Sequence, residues 1–192
     1  QQLLLTFKAK YNKISNGGNT TAQWRTLTSS EWNYLLKTRT NAANKLSFGK
    51  VNGIVGIILL PDSWTLPSGC SFTAASTYNS SNNNYTIAQW KLMEQAGAVF
   101  LPLTGYRHGN GISSYGTTSG VGHYWASTVS SVANYWLYAW HFSFYVYAND
   151  GRWQLVEASA NPAYLMIKRY NGAAVRLVQN KNTYDATTYK IT

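Results

Sequence analysis

His108, His123 and His141 stand among many serines, and a serine activated by a histidine is the smallest machinery for nucleophilic acyl transfer. The three histidines are dispersed, and no G-x-S-x-G turn is present to raise a serine above a sheet, so no catalytic residue is assigned. Cys70 is the only cysteine, which excludes an intrachain disulfide, a cysteine zinc cluster and a Cys–Cys redox pair. A calcium ion takes about six to eight oxygen ligands, several of them anionic. The only acids are Glu31, Asp62, Glu94, Asp150, Glu157 and Asp185, scattered along the chain, and the run Asn149-Asp150-Gly151 is too small a site alone. No metal ligand and no cofactor are assigned, and any ligand is expected to bind without calcium. The side chains that remain suit recognition. Tyr and Trp supply large contact area at low side-chain entropy cost, which is why binding surfaces favour them.

The composition carries the same message. The chain has 192 residues and is 45% hydrophobic, enough for one domain spanning 1–192 with its own core. It is 15% aromatic but only 11% charged, so amides and hydroxyls take the place of the usual Lys/Glu surface. Sixteen Lys and Arg against six acids leave a formal net charge of +10, which attracts anions. The basic residues are scattered, with Lys168-Arg169 adjacent, and form no basic run or RNA-binding motif, so no specific nucleic acid is assigned. A polyanion binder is the weakest of the functional options. No apolar run approaches the roughly 20 residues needed to span a bilayer, and "IVGIILL" is a strand-length core segment. The opening "QQLLLTFKAK" has neither Met nor a signal-peptide layout, which suggests a trimmed chain whose leader has been removed.

The elements that must position the aromatic residues can be read from caps and periodicity. An Asn/Gly-rich loop over 11–21 precedes a helix in "LTSSEWNYLLKTR", with Thr28 or Ser29 as N-cap, Glu31 in its first turn and Trp32, Leu35 and Leu36 at helical spacing. "KVNGIVGIILLPD" reads as two strands joined by a tight Asn52-Gly53 turn and stopped at Pro61. The polar tract 71–86 is a surface loop, and Thr86 and Gly97 bound a second helix. The remainder reads as strands: 135–148, a turn at "ANDGRW" with its Asp-Gly, an irregular stretch around Asn161-Pro162 and a last strand in "AAVRLVQ". Early helices followed by strands make the class α+β.

"YWLYAWHFSFYVYA", residues 135–148, is the stretch that matters most. Alternate residues of a strand face opposite sides. One side carries Trp136, Tyr138, Trp140, Phe142, Phe144 and Val146 and is assigned to the core. The other carries Tyr135, Leu137, Ala139, His141, Ser143, Tyr145 and Tyr147, whose hydroxyls and imidazole need partners when buried, and is assigned to the surface. The candidate ligand-binding set is Tyr135, His141, Ser143, Tyr145 and Tyr147, with Tyr138, Asn149, Arg152, Trp153, Tyr164, Lys168 and Tyr170 extending it.

Five motifs in order, "WRTLTSSEW", "VNGIVGIILLPDSW", "GAVFLPLTGYRHG", "GHYWAST" and "AAVRLV", resemble a secreted paralogous-domain family of gut anaerobes related to formylglycine-generating-enzyme-like domains. The resemblance covers about 11–179 and implies a C-type lectin-like fold, two helices around a small twisted antiparallel sheet with long loops. In relatives carried by diversity-generating retroelements, the stretch between "YWAST" and "VRLV" is the hypervariable, ligand-facing segment. Formylglycine-generating oxidation requires reactive cysteines that Cys70 alone does not provide. The implied function is a non-catalytic receptor or adhesin domain, secreted, on the cell surface or virion-associated, that binds a protein or glycan ligand on another cell or host. The alternative is a structural tip or coat subunit that uses the aromatic face for assembly.

Overall fold

The computed structural model describes residues 24–113, 116–129, 138–148, 150–156 and 167–179. They form a mixed α+β structure with two short helices and several small sheets. The first helix, α1 (Ser29–Asn33), begins at a capping box: Glu31 N donates to Thr28 Oγ1 at 3.1 Å, and Thr28 N donates to the Glu31 carboxylate at 2.8 Å. The helix continues into a π-helical turn (Tyr34–Thr38), closed by Arg39 N on the Tyr34 carbonyl at 3.1 Å. The second helix, α2 (Ile87–Gln95), starts at a reciprocal Thr86–Gln89 box and ends in a Schellman arrangement, with Gly97 N on the Glu94 carbonyl and Ala98 N on that of Met93.

Four strands, β1 (Trp24–Thr26), β2 (Leu46–Val51), β3 (Ile54–Leu59) and β4 (Asn84–Tyr85), precede or adjoin the second helix. After it come β5 (Val99–Pro102), β6 (Tyr106–His108), β7 (Gly111–Ser113), β8 (Gly120–Val129), β9 (Ala139–Tyr147), β10 (Asp150–Val156) and β11 (Leu177–Gln179). They assemble as a four-stranded sheet ordered β4-β2-β3-β5, a three-stranded sheet β10-β9-β8, and the pairs β1-β11 and β6-β7. The predicted hairpin is present: Val51 pairs with Ile54, and Asn52 and Gly53 both take positive φ, 50° and 81°, as a two-residue turn requires.

The four-stranded sheet is buried on both faces, which explains why "IVGIILL" is continuously apolar. Val55, Ile57, Phe48 and Leu101 pack toward the three-stranded sheet and α1, whereas Ile58, Val51 and Leu60 pack with Trp90 and Met93 of α2. Trp32 of α1 stacks on Phe142 of β9 with ring centroids 5.2 Å apart, and Phe48 of β2 meets Phe144 edge-on at 6.3 Å. The first contact fixes α1 on the three-stranded sheet, and the second joins the two larger sheets.

The turn predicted in "ANDGRW" is present, just ahead of its Asp-Gly. Tyr147 pairs with Asp150, so the chain reverses ahead of the Asp150-Gly151 pair, and Gly151 already lies in β10. The reason is steric: a Cβ on Gly151 would stand 2.5 Å from the Cβ of Tyr78, so this glycine is needed for close packing. The loops over 11–21 and around Asn161-Pro162 lie outside the described residues.

The polar tract between β3 and α2 is fastened by one buried amide. Asn83 Nδ2 donates to the carbonyls of Thr73 and Phe48 at 2.8 and 2.9 Å and lies 2.9 Å from Ser47 Oγ, while its Oδ1 accepts from Thr73 N at 2.8 Å. Its φ of 51° also favours Asn over a residue with no local polar partner. Asn83→Ala is expected to cost about 3 kcal/mol in urea unfolding, because it orphans several buried backbone groups at once. Asn83→Asp should be no milder, since a carboxylate oxygen would face two carbonyls. A loss below about 1 kcal/mol in both variants would show that the tract is held by other means.

Candidate functional site

The candidate face is built on β9. His141, Ser143 and Tyr145 oppose Trp125, His123 and Val121 of β8, and Tyr145 and Tyr147 oppose Arg152 and Asp150 of β10. Opposed side chains project from the same side of a sheet. These residues therefore make one face of the three-stranded sheet, and Phe142, Phe144 and Val146, all fully buried, make the inner face assigned to them from the alternation.

The outer face departs from its expected exposure. His141 and Ser143 are 1% and 0% exposed, so neither reaches the surface as the alternation had implied. They are enclosed from beyond the strand. Gly105 N donates to the Val121 carbonyl at 2.7 Å, which sets the start of β6 beside β8 and brings the Tyr106 ring edge-on to His123 at 5.3 Å. Residues 167–174 then tie β6 to β8: Gly172 and Arg107 exchange backbone hydrogen bonds of 3.0 and 2.6 Å, and Ala174 N donates to the His123 carbonyl at 2.9 Å. Inside this enclosure the rings of His123 and His141 lie 5.2 Å apart, and Trp125 meets His141 at 5.6 Å.

Burial, and after it the neighbouring His141, push the His123 imidazole down from its ordinary 6.5 to about 3, so it is neutral at physiological pH. His123 Nδ1 and Ser143 Oγ, on opposed residues, have no hydrogen-bond partner among the described residues. Here a serine and a histidine stand opposite each other across two strands. Both are buried, His123 1% and Ser143 0% exposed, so the pair is packed inside the sheet among the described residues.

The other candidates separate into two places. Toward the β9–β10 turn, Tyr145 is half-buried and Tyr147 is 50% exposed, with their rings 5.9 Å apart and inclined by 33°. Arg152 stands beside them, exposed, with Asp150 at 3.7 Å in a solvent-screened pair of little energetic weight. About 25 Å away along β9, at the strand's rise per residue, Tyr138 pairs with Lys168, whose ammonium lies 5.4 Å from the ring of Tyr170. Tyr170 is largely exposed, and Tyr138 and Lys168 are half-buried.

Trp153 does not belong to this surface. It opposes Phe144 and meets the Phe142 ring at 6.2 Å, so register places it against the core. Tyr135, Asn149 and Tyr164 lie outside the described residues. Tyr106, which covers the histidines, was not among the candidates, nor were the exposed Arg107, Ile112 and Arg169. The glycine-rich "YRHGNGIS" carries their signal: a short hairpin whose alternation turns Tyr106 inward and Arg107 outward.

Among the described residues there is no group of three or more His, Cys, Asp or Glu able to hold a metal ion, and no helix is long and apolar enough to cross a membrane. No family model, curated protein or solved structure matches the chain.

The neutral, buried His123 makes stability depend on pH. Its folded-state value lies below its unfolded value, so the unfolded chain takes up a proton that the folded chain excludes. The contribution is complete above about pH 6.5 and is lost as pH falls toward about 3. Between pH 7 and pH 4.5 the expected loss is about 2 kcal/mol in urea unfolding. His123→Leu should flatten that part of the profile. An unchanged slope in the variant would mean that His123 is not held neutral.

Proposed function

We propose that this chain is a non-catalytic ligand-binding domain of C-type lectin-like fold, a receptor or adhesin that is secreted or displayed on a surface and binds a protein or glycan ligand. The observation that carries this reading is the paired Tyr145 and Tyr147 rings beside Arg152, set on a strand whose inner residues Phe142, Phe144 and Val146 are fully buried. Such a platform is ordered before any ligand arrives, so binding need not bear the cost of immobilising it. Aromatic rings stack on sugar faces and anchor protein interfaces equally well, and the guanidinium adds a directional donor fork.

Two further features support the reading. The packed framework comes mainly from α1, α2 and the four-stranded sheet, while Tyr145, Tyr147, Arg152, Lys168 and Tyr170 fall in the later segment that the resemblance assigns to ligand contact and, in retroelement-borne relatives, to diversification. On this reading binding proceeds without calcium: two of the described carboxylates, Glu31 and Asp62, already have cationic partners.

A glycan array read alongside a direct binding assay on protein ligands tests the proposal. Replacing Tyr145 and Tyr147 together by Ala should weaken the bound ligand about tenfold or more, as for loss of aromatic anchors, measured below the variant's melting transition, with no effect of a chelator. Full affinity in the double variant would remove the platform from the site. Calcium-dependent binding accompanied by a calcium-dependent rise in melting temperature would overturn the metal-free mechanism.

A further inference from the structure

The hairpin that encloses the histidines has an outside as well as an inside. Arg107 opposes Ile112 across β6 and β7 and opposes Gly172 on its other edge. Directly opposed residues project together, so Ile112, 69% exposed, and Arg107 share the outward side. Gly172 makes room for this: a Cβ there would stand 3.0 Å from the Cβ of Arg107. The turn just before Gly172, closed by Asn171 N on the Lys168 carbonyl at 2.9 Å, presents Lys168, Arg169 and the 66% exposed Tyr170. Two turns, bonded to each other through Arg107 and Gly172, thus form one ridge carrying three cations, an aromatic ring and an exposed aliphatic side chain.

No carboxylate among the described residues pairs with Arg107, Lys168 or Arg169; the ion pairs there are made by other cations. On a chain of formal charge +10, this ridge repels a second copy of itself and attracts an anionic surface. Exposed Arg and Tyr around an apolar centre have the composition of a protein-interface anchor. A phosphate backbone or a sulfated sugar would satisfy the cations but leave Ile112 unused, whereas an acidic protein surface with an apolar side chain at its centre satisfies both. We infer that the Arg107–Ile112 and Lys168–Tyr170 ridge docks an acidic protein surface bearing an apolar anchor. The inference rests on the ligand-binding reading above and specifies the partner's chemistry.

The test selects from a surface-displayed random peptide library against the whole chain, with heparin and single-stranded oligothymidylate as competing polyanions. Enriched peptides should combine Asp or Glu with a large apolar residue and should weaken as salt rises. The double variant Arg107→Glu/Arg169→Glu should lower their affinity at least about tenfold, the scale of like-charge juxtaposition at an interface. Ile112→Asp should weaken them several-fold. Arg169 Nε donates to the Tyr138 carbonyl at 2.9 Å, so the double variant is expected to melt slightly lower, and a retained cooperative transition above the assay temperature verifies folding.

Peptides that lack acids, or that bind the double variant undiminished, overturn the inference. So does binding of heparin or oligothymidylate that ignores Ile112→Asp, which would make the ridge a general polyanion surface. If the Tyr145/Tyr147 double variant abolishes binding while the ridge variants leave it intact, the ligand-binding reading stands and the ridge is not its docking site. If no peptide, protein or glycan binds at all, both fall.

Discussion

Burial of β9 from both sides is the constraint on which the rest of this molecule depends. On one side Phe142, Phe144 and Val146 fill the space between the two larger sheets, with Trp32 stacked on Phe142. On the other, His141 and Ser143 are shut in by Tyr106, His123 and Trp125. An aromatic strand in this position cannot slip its register, because a shift of one residue would exchange the two sets of side chains. The polar residues on the covered side are the weak point: an unpartnered buried hydroxyl or ring nitrogen costs about 1–3 kcal/mol. The surrounding ring contacts and the backbone bonds of residues 167–174 offset that cost.

The framework around β9 is held by local polar clips more than by charge. The Arg39 guanidinium, 4% exposed, donates to the Leu60 and Lys45 carbonyls at 2.7 and 3.2 Å and so ties the end of the first helical segment to the exit of β3. Asn83 does the same for the long polar tract. Each clip satisfies backbone groups that a loop would otherwise leave exposed or unpaired. A chain with few acids has few salt bridges available, and the side-chain-to-backbone bonds of Arg and Asn take their place.

What was legible in the sequence was local. The Thr28 and Thr86 caps, the Asn52-Gly53 turn and the inward side of β9 each depend on residues a few positions apart, and the structure has them where periodicity and capping chemistry place them. What was not legible came from partners distant in the chain. Alternation says that His141 and Ser143 face away from Phe142, but it does not say that residues from β6 and from 167–174 return to cover them. Trp153 was misplaced for a related reason, since its side of the sheet is set by pairing with Phe144 and not by its own neighbours. The Asp150-Gly151 pair resembled a turn because glycine serves turns and tight packing alike, and here packing against Tyr78 uses it.

The pairing of β1 with β11 has a mechanical consequence. Trp24 lies opposite Gln179, so the first and last described strands lie side by side. That pair adjoins one end of β8, where Ser127 N donates to the Leu27 carbonyl at 2.8 Å, while Gly120 at the strand's other end lies opposite Val146, next to Tyr147. Strand rise separates those two poles by about 20 Å. A pull applied across the β1–β11 seam therefore loads the pole opposite the tyrosine pair and reaches the tyrosines only through the length of β8.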